Sequence, residues 1–510
     1  MAIYTEVKKN AYFDSVTLML MSAQLKKSPG ILEGAVMMGT DHNKRLMLDS
    51  GILDPATAES CGPNDLVIGF SSRDPEAEEQ GKALCKTLFE QKKQSGASGE
   101  KKQPRSLEEA VEDMEQANMA VISLPGRFAK HEAMKALKRG LHVLLFSDNV
   151  SIEEELELKE YAAGHGLLLM GPDCGTAIIS GTALGFANVV RRGSVGVVAA
   201  AGTGLQEVTV LLDRLGSGIS QAIGTGGRDV KDIIGGKTML LALDALIADE
   251  NTRVIGIVAK PPERGVLEAI RAKAAGVQKP VVACLMGTDP AWAQGSNIRA
   301  AATLEETAAL LAALDQGRAA PALCQEKAPA LPETRAGQKY VRGLYSGGTL
   351  CYESLLILKK ELGTVFSNIG GEPGERLEDE ELSRENTLVD MGDDHFTDGM
   401  PHPMIDVRLR LERLAREADD PEVAVILLDC VLGYGCHQDP AGALAEAITG
   451  LRQKLGDRMP AIVASVCGTE EDFQGRTAQE EKLRQAGVLV ESCNARAARL
   501  AAGIVKNARG

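Results

Sequence analysis

The residues best placed to do chemistry are glycines at strand-to-helix turns, with a few cations and a dense acidic stretch beside them. Residues 193–229 read GSVGVVAAAGTGLQEVTVLLDRLGSGISQAIGTGGRD. This is a buried strand over 195–200, a turn at Gly202, Thr203 and Gly204, and a helix over about 205–215. A second strand over 221–223 opens onto a turn over 224–228 that contains Gly226 and Gly227. Glycines there let backbone N–H groups face one shared space, and the helix dipole behind them favours an anion. Two such turns at the carboxyl ends of strands point to an anion pocket. The alternative is that they only close tight turns in an α/β fold.

Arg228 in GTGGRD and Lys260 in VAKPP are the natural cations for a phosphate or carboxylate held by glycine amides. Their other reading is as ordinary exposed basic residues. A second chemical candidate is VDMGDDHFTDGMPHPMID, residues 389–406, where Asp390, Asp393, Asp394, Asp398 and Asp406 crowd around His395 and His402. It reads as a substrate or metal site, or as a surface loop whose carboxylates cap turns. The carboxylates leave a hard-cation site open, although the spacing matches no EF-hand and no residue is assigned as a metal ligand. Glu207 and Glu353 follow their turns. They serve either as first-turn dipole partners or as a base facing the cleft. His437 in GYGCHQDP is a weaker candidate, and nothing marks Cys351, Cys430 or Cys436 as an activated thiolate.

Positioning these groups requires a parallel sheet. From residue 107 onward, unbroken apolar runs alternate with amphipathic helices of ten to fifteen residues, so an α/β fold covered on both faces is expected. Ser151 and Glu154 form a capping box at one helix start. The pattern then repeats. Gly202-Thr203-Gly204-Leu205-Gln206-Glu207 is echoed by Gly348-Thr349-Leu350-Cys351-Tyr352-Glu353, and the helix near 236–249 by one near 407–418. This reads as an internal duplication, with two helix N-termini facing one cleft. The expected organisation is a Rossmann-like domain over 1–190 with a polar loop at about 92–106, an α/β domain over 191–315, a linker over 316–338 and a second α/β domain over 339–510. In the first segment, strands are expected over 3–7, 32–38 and 65–70, and a helix over 14–27.

With 510 residues, 44% hydrophobic, 25% charged and a net charge of −15, the chain reads as a globular protein without nucleic acid or anionic membrane as a main partner. Ten scattered cysteines without a CxxC pair, and no apolar leader or long apolar run, place it in the cytoplasm.

GPDCGT at 171–176, VGVVAAAGTGLQE at 195–207 and AIGTGGRD at 222–229 resemble the α-subunit of succinyl-CoA synthetases. The part after the linker resembles the ligase domain of their β-subunit. Taken with KNAYFDSVTLML, FSDNVSIEEELELK, KPP and MPHPMID, nearly the whole chain resembles the FdrA family. Those likenesses imply a CoA-binding-type Rossmann domain followed by two flavodoxin-like ligase domains. The synthetases carry phosphate on a histidine after the last strand of the second unit, but residues 286–301, MGTDPAWAQGSNIRAA, contain none. Their glycine loop for CoA would fall near KKNAYFDSV, which has no glycine, so bound CoA is not expected.

The FdrA resemblance implies instead a subunit of an oxamate carbamoyltransferase in allantoin and purine catabolism. Phosphate and carbamoyl phosphate would be substrates, and two unrelated subunits would be partners; a homo-oligomer stays open. On that view Gly202–Gly204, Gly226–Arg228 and Gly347–Thr349 bind phosphate or carboxylate, with Gly347, Gly348 and Thr349 supplying the second turn. Arg228 and Lys260 supply charge, and His402 or His395 a proton. Asp393 and Asp394 line the site. An acyl-CoA synthetase subunit and a metabolite-binding scaffold remain the alternatives.

Overall fold

In the computed structural model residues 2–9, 11, 15–26, 28–95, 104–114, 116–319, 331–397 and 400–509 are described. The chain divides into two compact units, Met1–Glu109 and Ala110–Gly510.

The first unit contains β1 (Ala2–Lys8), α1 (Ser15–Lys26), β2 (Ile31–Met38), α2 (Asp41–Asp49), α3 (Pro55–Ser60), β3 (Leu66–Ser72) and α4 (Pro75–Ser95). β3 is buried along its whole length, which puts it in the middle of the sheet β1-β3-β2. Alternate β3 residues face opposite layers. Ile68 and Phe70 meet Leu18, Leu25 and Cys85, whereas Val67 meets Met47, Ile52 and Cys61. Both neighbours of β3 run antiparallel to it. The Rossmann-like domain expected over 1–190 therefore does not form as one body, because β3 inserts between β1 and β2 in the opposite direction. The expected polar loop includes residues 96–103, and the expected helix start includes residue 14; both lie outside the described residues.

The second unit opens with α5 (Leu107–Asp113), which spans the boundary. β4 (Met119–Ile122), α6 (Gly126–Lys138), β5 (His142–Leu145), α7 (Ile152–Gly164) and β6 (Leu169–Met170) follow, giving the parallel sheet β4-β5-β6. α7 starts at the expected capping box of Ser151 and Glu154. A hairpin of β7 (Thr176–Ile179) and β8 (Thr182–Gly185) then joins the edge of the next sheet, antiparallel to its outer strand.

That next sheet is built by β9 (Arg192–Ala200), α8 (Gly202–Arg214), β10 (Ile219–Gly224), α9 (Lys237–Ala248), β11 (Val254–Ala259), α10 (Arg264–Ala274), β12 (Val281–Leu285), β13 (Ile298–Ala300) and α11 (Leu304–Asp315). Its order is β13-β12-β11-β9-β10-β7-β8. The second copy runs β14 (Tyr340–Tyr345), α12 (Gly348–Leu362), β15 (Phe366–Ser367), β16 (Thr387–Asp390), α13 (Asp394–Thr397), α14 (Arg408–Asp419), β17 (Val423–Val431), α15 (Pro440–Leu455), β18 (Ala461–Cys467), α16 (Arg476–Gln485), β19 (Leu489–Glu491) and α17 (Asn494–Arg509). Its order is β15-β16-β14-β17-β18-β19. Numbered within each copy, both sheets follow the 2-1-3-4-5 order of flavodoxin-like folds, with one added edge strand in the second.

One apolar core joins the two copies. It includes Leu205 and Val208 of α8, Leu311 of α11, Leu350 and Leu358 of α12, and Ile504 of α17. Of the expected linker, residues 320–330 lie outside the described residues. No helix among the described residues is long and apolar enough to cross a membrane.

Candidate functional site

The two Gly-Thr turns meet face to face and interlock. A Cβ on Gly347 would come within 2.8 Å of Thr203 Cγ2, and one on Gly204 within 2.7 Å of Thr349 Cγ2. Each glycine is the recess for the other turn's threonine. The amide of Thr349 donates to Thr203 Oγ1 at 3.3 Å. Gly204 and Gly347 thus pack the two turns together, and of their amides Gly347's donates to Asp429 whereas Gly204's has no partner among the described residues.

The second turn is already filled by the chain's own carboxylates. Asp429, fully buried at the end of β17, accepts from the amides of Ser346 and Gly347 at 2.9 and 2.8 Å and from Ser346 Oγ at 3.0 Å. The buried Arg410 balances it at 2.6 Å. Asp390 presses Oδ2 against Gly348, where a Cβ would come within 2.3 Å of it. The anion site expected at Gly347, Gly348 and Thr349 is therefore occupied from within.

The first turn is open. α8 begins at Gly202 with no side-chain cap, and the amides of Gly202, Thr203 and Gly204 have no partner among the described residues. Gly202 is exposed. These are the orphan donors that an anion satisfies.

Around this turn the strand ends crowd together. Gly226, at a φ of 82°, lies against Pro172, whose carbonyl oxygen would stand 2.4 Å from a Cβ there. Only glycine fits so close a turn. Gly227 faces open space. Arg228 is less free than expected. Its Nε pairs with Glu155 at 2.8 Å and its Nη2 donates to the Val150 carbonyl at 2.7 Å. Glu155 also pairs with buried Lys159 at 2.9 Å. Lys159 in turn holds Asp229 at 2.8 Å, and Asp229 accepts the amides of Thr238 and Met239 at the start of α9. Arg228 thus anchors the turn, while remaining close enough to lower the Asp173 carboxyl.

Asp173 keeps an exposed edge but is pushed up to about 6, first by desolvation, then by Asp394 and Asp148, against the pull of Arg228 and Lys260. Lys260 makes no ion pair among the described residues. Its Nζ lies 5.7 Å from the Tyr352 ring centroid, and its charge lowers both Asp173 and Asp390. Asp390 is buried and pushed up to about 7, chiefly by desolvation, with Lys260 and the Gly392 amide opposing. Among the described residues Lys260 is thus the free cation that the sequence points to at this cleft.

His402 belongs to the same cleft, with its ring 5.6 Å from Phe186. Its Nδ1 accepts the Met404 amide at 3.2 Å, which leaves the proton on Nε2. Burial holds it down at about 4. At neutral pH it is a fixed hydrogen-bond donor, so the proton-transfer role expected for it does not fit. His395 is exposed, with Nε2 3.8 Å from Glu381. Asp393 accepts the His395 amide at 3.3 Å, as a turn cap does. Asp394 is exposed and near enough to raise Asp173. His437 accepts the Asp439 amide at 3.0 Å, and Asp398 lies outside the described residues.

Glu207 is not brought to the cleft. It is buried and accepts the Asn494 amide at 3.1 Å, at the first residue of α17. Glu353 does the reciprocal thing, accepting the Leu304 amide at 2.8 Å at the first residue of α11. Each duplicated helix thus caps the last helix of the other copy. Burial raises both carboxyls, Glu353 to about 7. Burial likewise raises the thiols of Cys351, Cys430 and Cys436, so none is activated. A cavity of about 590 Å³ beside Asp213 and Arg214 lies at the other end of α8. The sequence reading missed Asp429, Arg410, Glu155 and Lys159. The available signal was an acid inside the apolar run VILLDCV.

Comparison with known proteins divides the chain in a similar way. Residues 344–504 match the CoA-ligase family, and residues 1–106 match a domain described as AllF, heavy metal-associated. Over 502 residues the chain is 42% identical to the uncharacterized protein YahF of Escherichia coli (strain K12), covering 96% of each chain. Over 189 residues it is 30% identical to the succinate–CoA ligase [ADP-forming] subunit alpha 2 of Archaeoglobus fulgidus. That match covers 36% of this chain and 63% of the relative, a little under two thirds of the relative's length. Among solved structures, an apo acetyl-coenzyme A synthetase 1 of Ca. Korarchaeum cryptofilum matches with a TM-score of 0.32 at 16% identity, over 77% of this chain and 84% of that one.

The described residues of the amino-terminal unit do not fit a heavy metal. Its two cysteines, Cys61 and Cys85, are buried in clusters on opposite faces of the sheet. Among the described residues no group of three or more His, Cys, Asp or Glu could hold an ion. Part of the stretch expected to replace the CoA loop, residues 10 and 12–14, lies outside the described residues.

Proposed function

The chain belongs to the same family as Escherichia coli YahF and carries a CoA-ligase-type α/β domain, and from that premise we propose that it is a subunit of an oxamate carbamoyltransferase. The reaction interconverts oxalurate plus phosphate with oxamate plus carbamoyl phosphate, in the cytoplasm and with two further subunits. The observation that carries the reading is the open turn at α8. Its three amides have no partner among the described residues, the pairing of Ala259 with Ala200 makes Lys260 follow the strand beside that turn, and His402 is read as the neutral donor of the same site. That set suits one small oxyanion beside a carbonyl that develops negative charge, with no covalent enzyme intermediate.

One feature supports a chemistry other than thioester formation, and a second sets the chain apart from the ligase subunits in extent. Residues 286–301 supply no histidine to carry phosphate. The match to the succinate–CoA ligase subunit spans 36% of the chain, whereas the match to YahF spans 96% and so takes in the amino-terminal unit as well. These features accord with the FdrA resemblance.

A second reading keeps the chain as an acyl-CoA synthetase-like subunit whose partner supplies ATP chemistry. The match of residues 344–504 to the CoA-ligase family favours it. The deciding experiment is phosphorolysis of oxalurate, coupled to carbamate kinase, by the chain alone and with its partner subunits. ATP formation only with partners supports the carbamoyltransferase. Inert oxalurate with CoA- and ATP-dependent thioester formation contradicts it and restores the ligase. Failure of both, with metabolite binding retained, leaves a scaffold.

A further inference from the structure

One buried carboxyl, Asp390, lies between the second turn and His402. Asp390 ends β16, and its backbone is pinned from both sides by Asn368, which accepts its amide and donates to its carbonyl at 2.9 Å each. Oδ1 accepts the Gly392 amide at 2.9 Å, and Oδ2 rests against Gly348. Through Gly348 and Thr349 it adjoins the interlocked turn whose other half is the open end of α8.

The neighbours of Asp390 come from every side. Lys260 faces it from the end of β11, Asp429 from β17 and Asp393 from the turn that follows β16. Cys351 on α12 also senses its charge. Asp390 Oδ1 and His402 Nε2 converge, lying 3.2 and 2.7 Å from the point a Cβ on Gly392 would occupy. Asp173 is the other raised carboxyl at the cleft, but it is Asp390 that converges with His402 Nε2, and the remaining candidates are committed elsewhere. His402 is a fixed donor, Arg228 is paired with Glu155, and Glu207 and Glu353 cap helices in the interior.

We infer that Asp390 is the catalytic proton carrier of this cleft, taking a proton from the attacking group and delivering it to the leaving group. The inference rests on the carbamoyltransferase reading. In the direction from oxamate and carbamoyl phosphate, the oxamate nitrogen forms a bond to the carbamoyl carbon, and the bond from that carbon to the phosphate oxygen breaks. The proton lost by nitrogen passes to the Asp390 carboxylate and from there to the departing phosphate. The carboxylate is regenerated, and no other reactant is needed. His402 Nε2–H stabilises the carbonyl oxygen, and Lys260 the phosphate.

The test uses the full complex in that direction, because inorganic phosphate itself titrates near neutrality whereas oxamate and carbamoyl phosphate do not. The wild-type rate should rise through about pH 7, as Asp390 ionises. Asp390→Asn should lose that limb and about 100-fold or more in kcat, with KM for carbamoyl phosphate changed less than about threefold. A variant that keeps the limb, or keeps kcat within about tenfold, overturns the inference. Asp390→Ser, with a shorter side chain that still carries an oxygen, gives the same comparison should the Asn variant not fold. Infrared titration of the full chain alone supplies a readout independent of turnover. Because Glu353 is also raised to about 7, the readout is the wild-type-minus-variant difference: a protonated-carboxyl band that titrates near neutrality is expected in it, and its absence overturns the inference. If the band is present but the complex is inert toward oxamate and oxalurate, the carbamoyltransferase reading falls and takes the catalytic role with it, whereas an active complex without the band overturns the role of Asp390 alone.

Discussion

His402 and Asp390 share one cleft yet respond to burial in opposite directions, because one is a cation when protonated and the other is neutral. The folded-state value for His402, about 4, lies below its ordinary 6.5. The unfolded chain therefore takes up its proton first as pH falls, so the folded state loses stability from pH 6.5 down to 4. Replacing His402 with Gln keeps an N–H donor but removes the titration. The stability difference between wild type and His402→Gln should shift by up to ~3 kcal/mol between pH 7 and 4, to the advantage of the variant in acid. Urea unfolding at several pH values measures it, and a difference independent of pH refutes the neutral assignment. Asp390 and Glu353, raised to about 7, carry the opposite sign: their share of stability is present below their ordinary values and is lost as pH rises through 7. Residue types alone reveal where cations and carboxylates cluster. They do not reveal that the Met404 amide fixes the tautomer of His402, or that Glu155 engages Arg228. Both depend on contacts between residues distant in sequence or on local loop geometry, which composition does not carry.

At the scale of elements, the duplication matters more than either copy. α8 and α12 each present Gly-Thr at their first turn, and each threonine fills the recess left by the other copy's glycine. Gly204→Ala should cost ~1–3 kcal/mol, since its methyl meets Thr349 Cγ2 at 2.7 Å in a packed core. Thr349→Ser removes that methyl carbon, so Gly204→Ala combined with Thr349→Ser should recover most of the loss. A double-mutant cycle by chemical denaturation reads the coupling, and purely additive effects contradict the interlock. The repeated motif and the facing helix N-termini were legible in the sequence because both follow from local turn chemistry. The inequality of the turns was not. It arises from Asp429, which lies 83 residues beyond Ser346 in the chain, and from Asp390. Both reach the second turn only through the sheet order β16-β14-β17.

At the scale of the molecule, two units fold on separate cores. Phe70 is fully buried against Leu25 and Cys85 in the first unit, so Phe70→Ala should cost that unit ~3–5 kcal/mol. Calorimetry should show two transitions, with only one lowered by the substitution; a single transition that shifts as a whole contradicts independent cores. The parallel α/β architecture from residue 107 onward was legible because apolar strands and amphipathic helices alternate there with little interruption. The antiparallel first unit was not, since three short apolar strands are compatible with either direction until β3 is placed between β1 and β2.

The open end of α8 is the seat proposed for the substrate's anion, and the functional reading stands or falls with it. Gly202 is the first residue of that helix, where proline is tolerated, and it follows Ala201 in an extended conformation. Gly202→Pro therefore deletes one amide donor and little else. Calorimetric titration of the full chain with inorganic phosphate is the most direct measurement. Binding to the wild type is expected, with about tenfold weaker binding to Gly202→Pro at an unchanged unfolding temperature, the loss of one hydrogen bond to a charged group. Equal affinity in a folded variant would contradict the assignment.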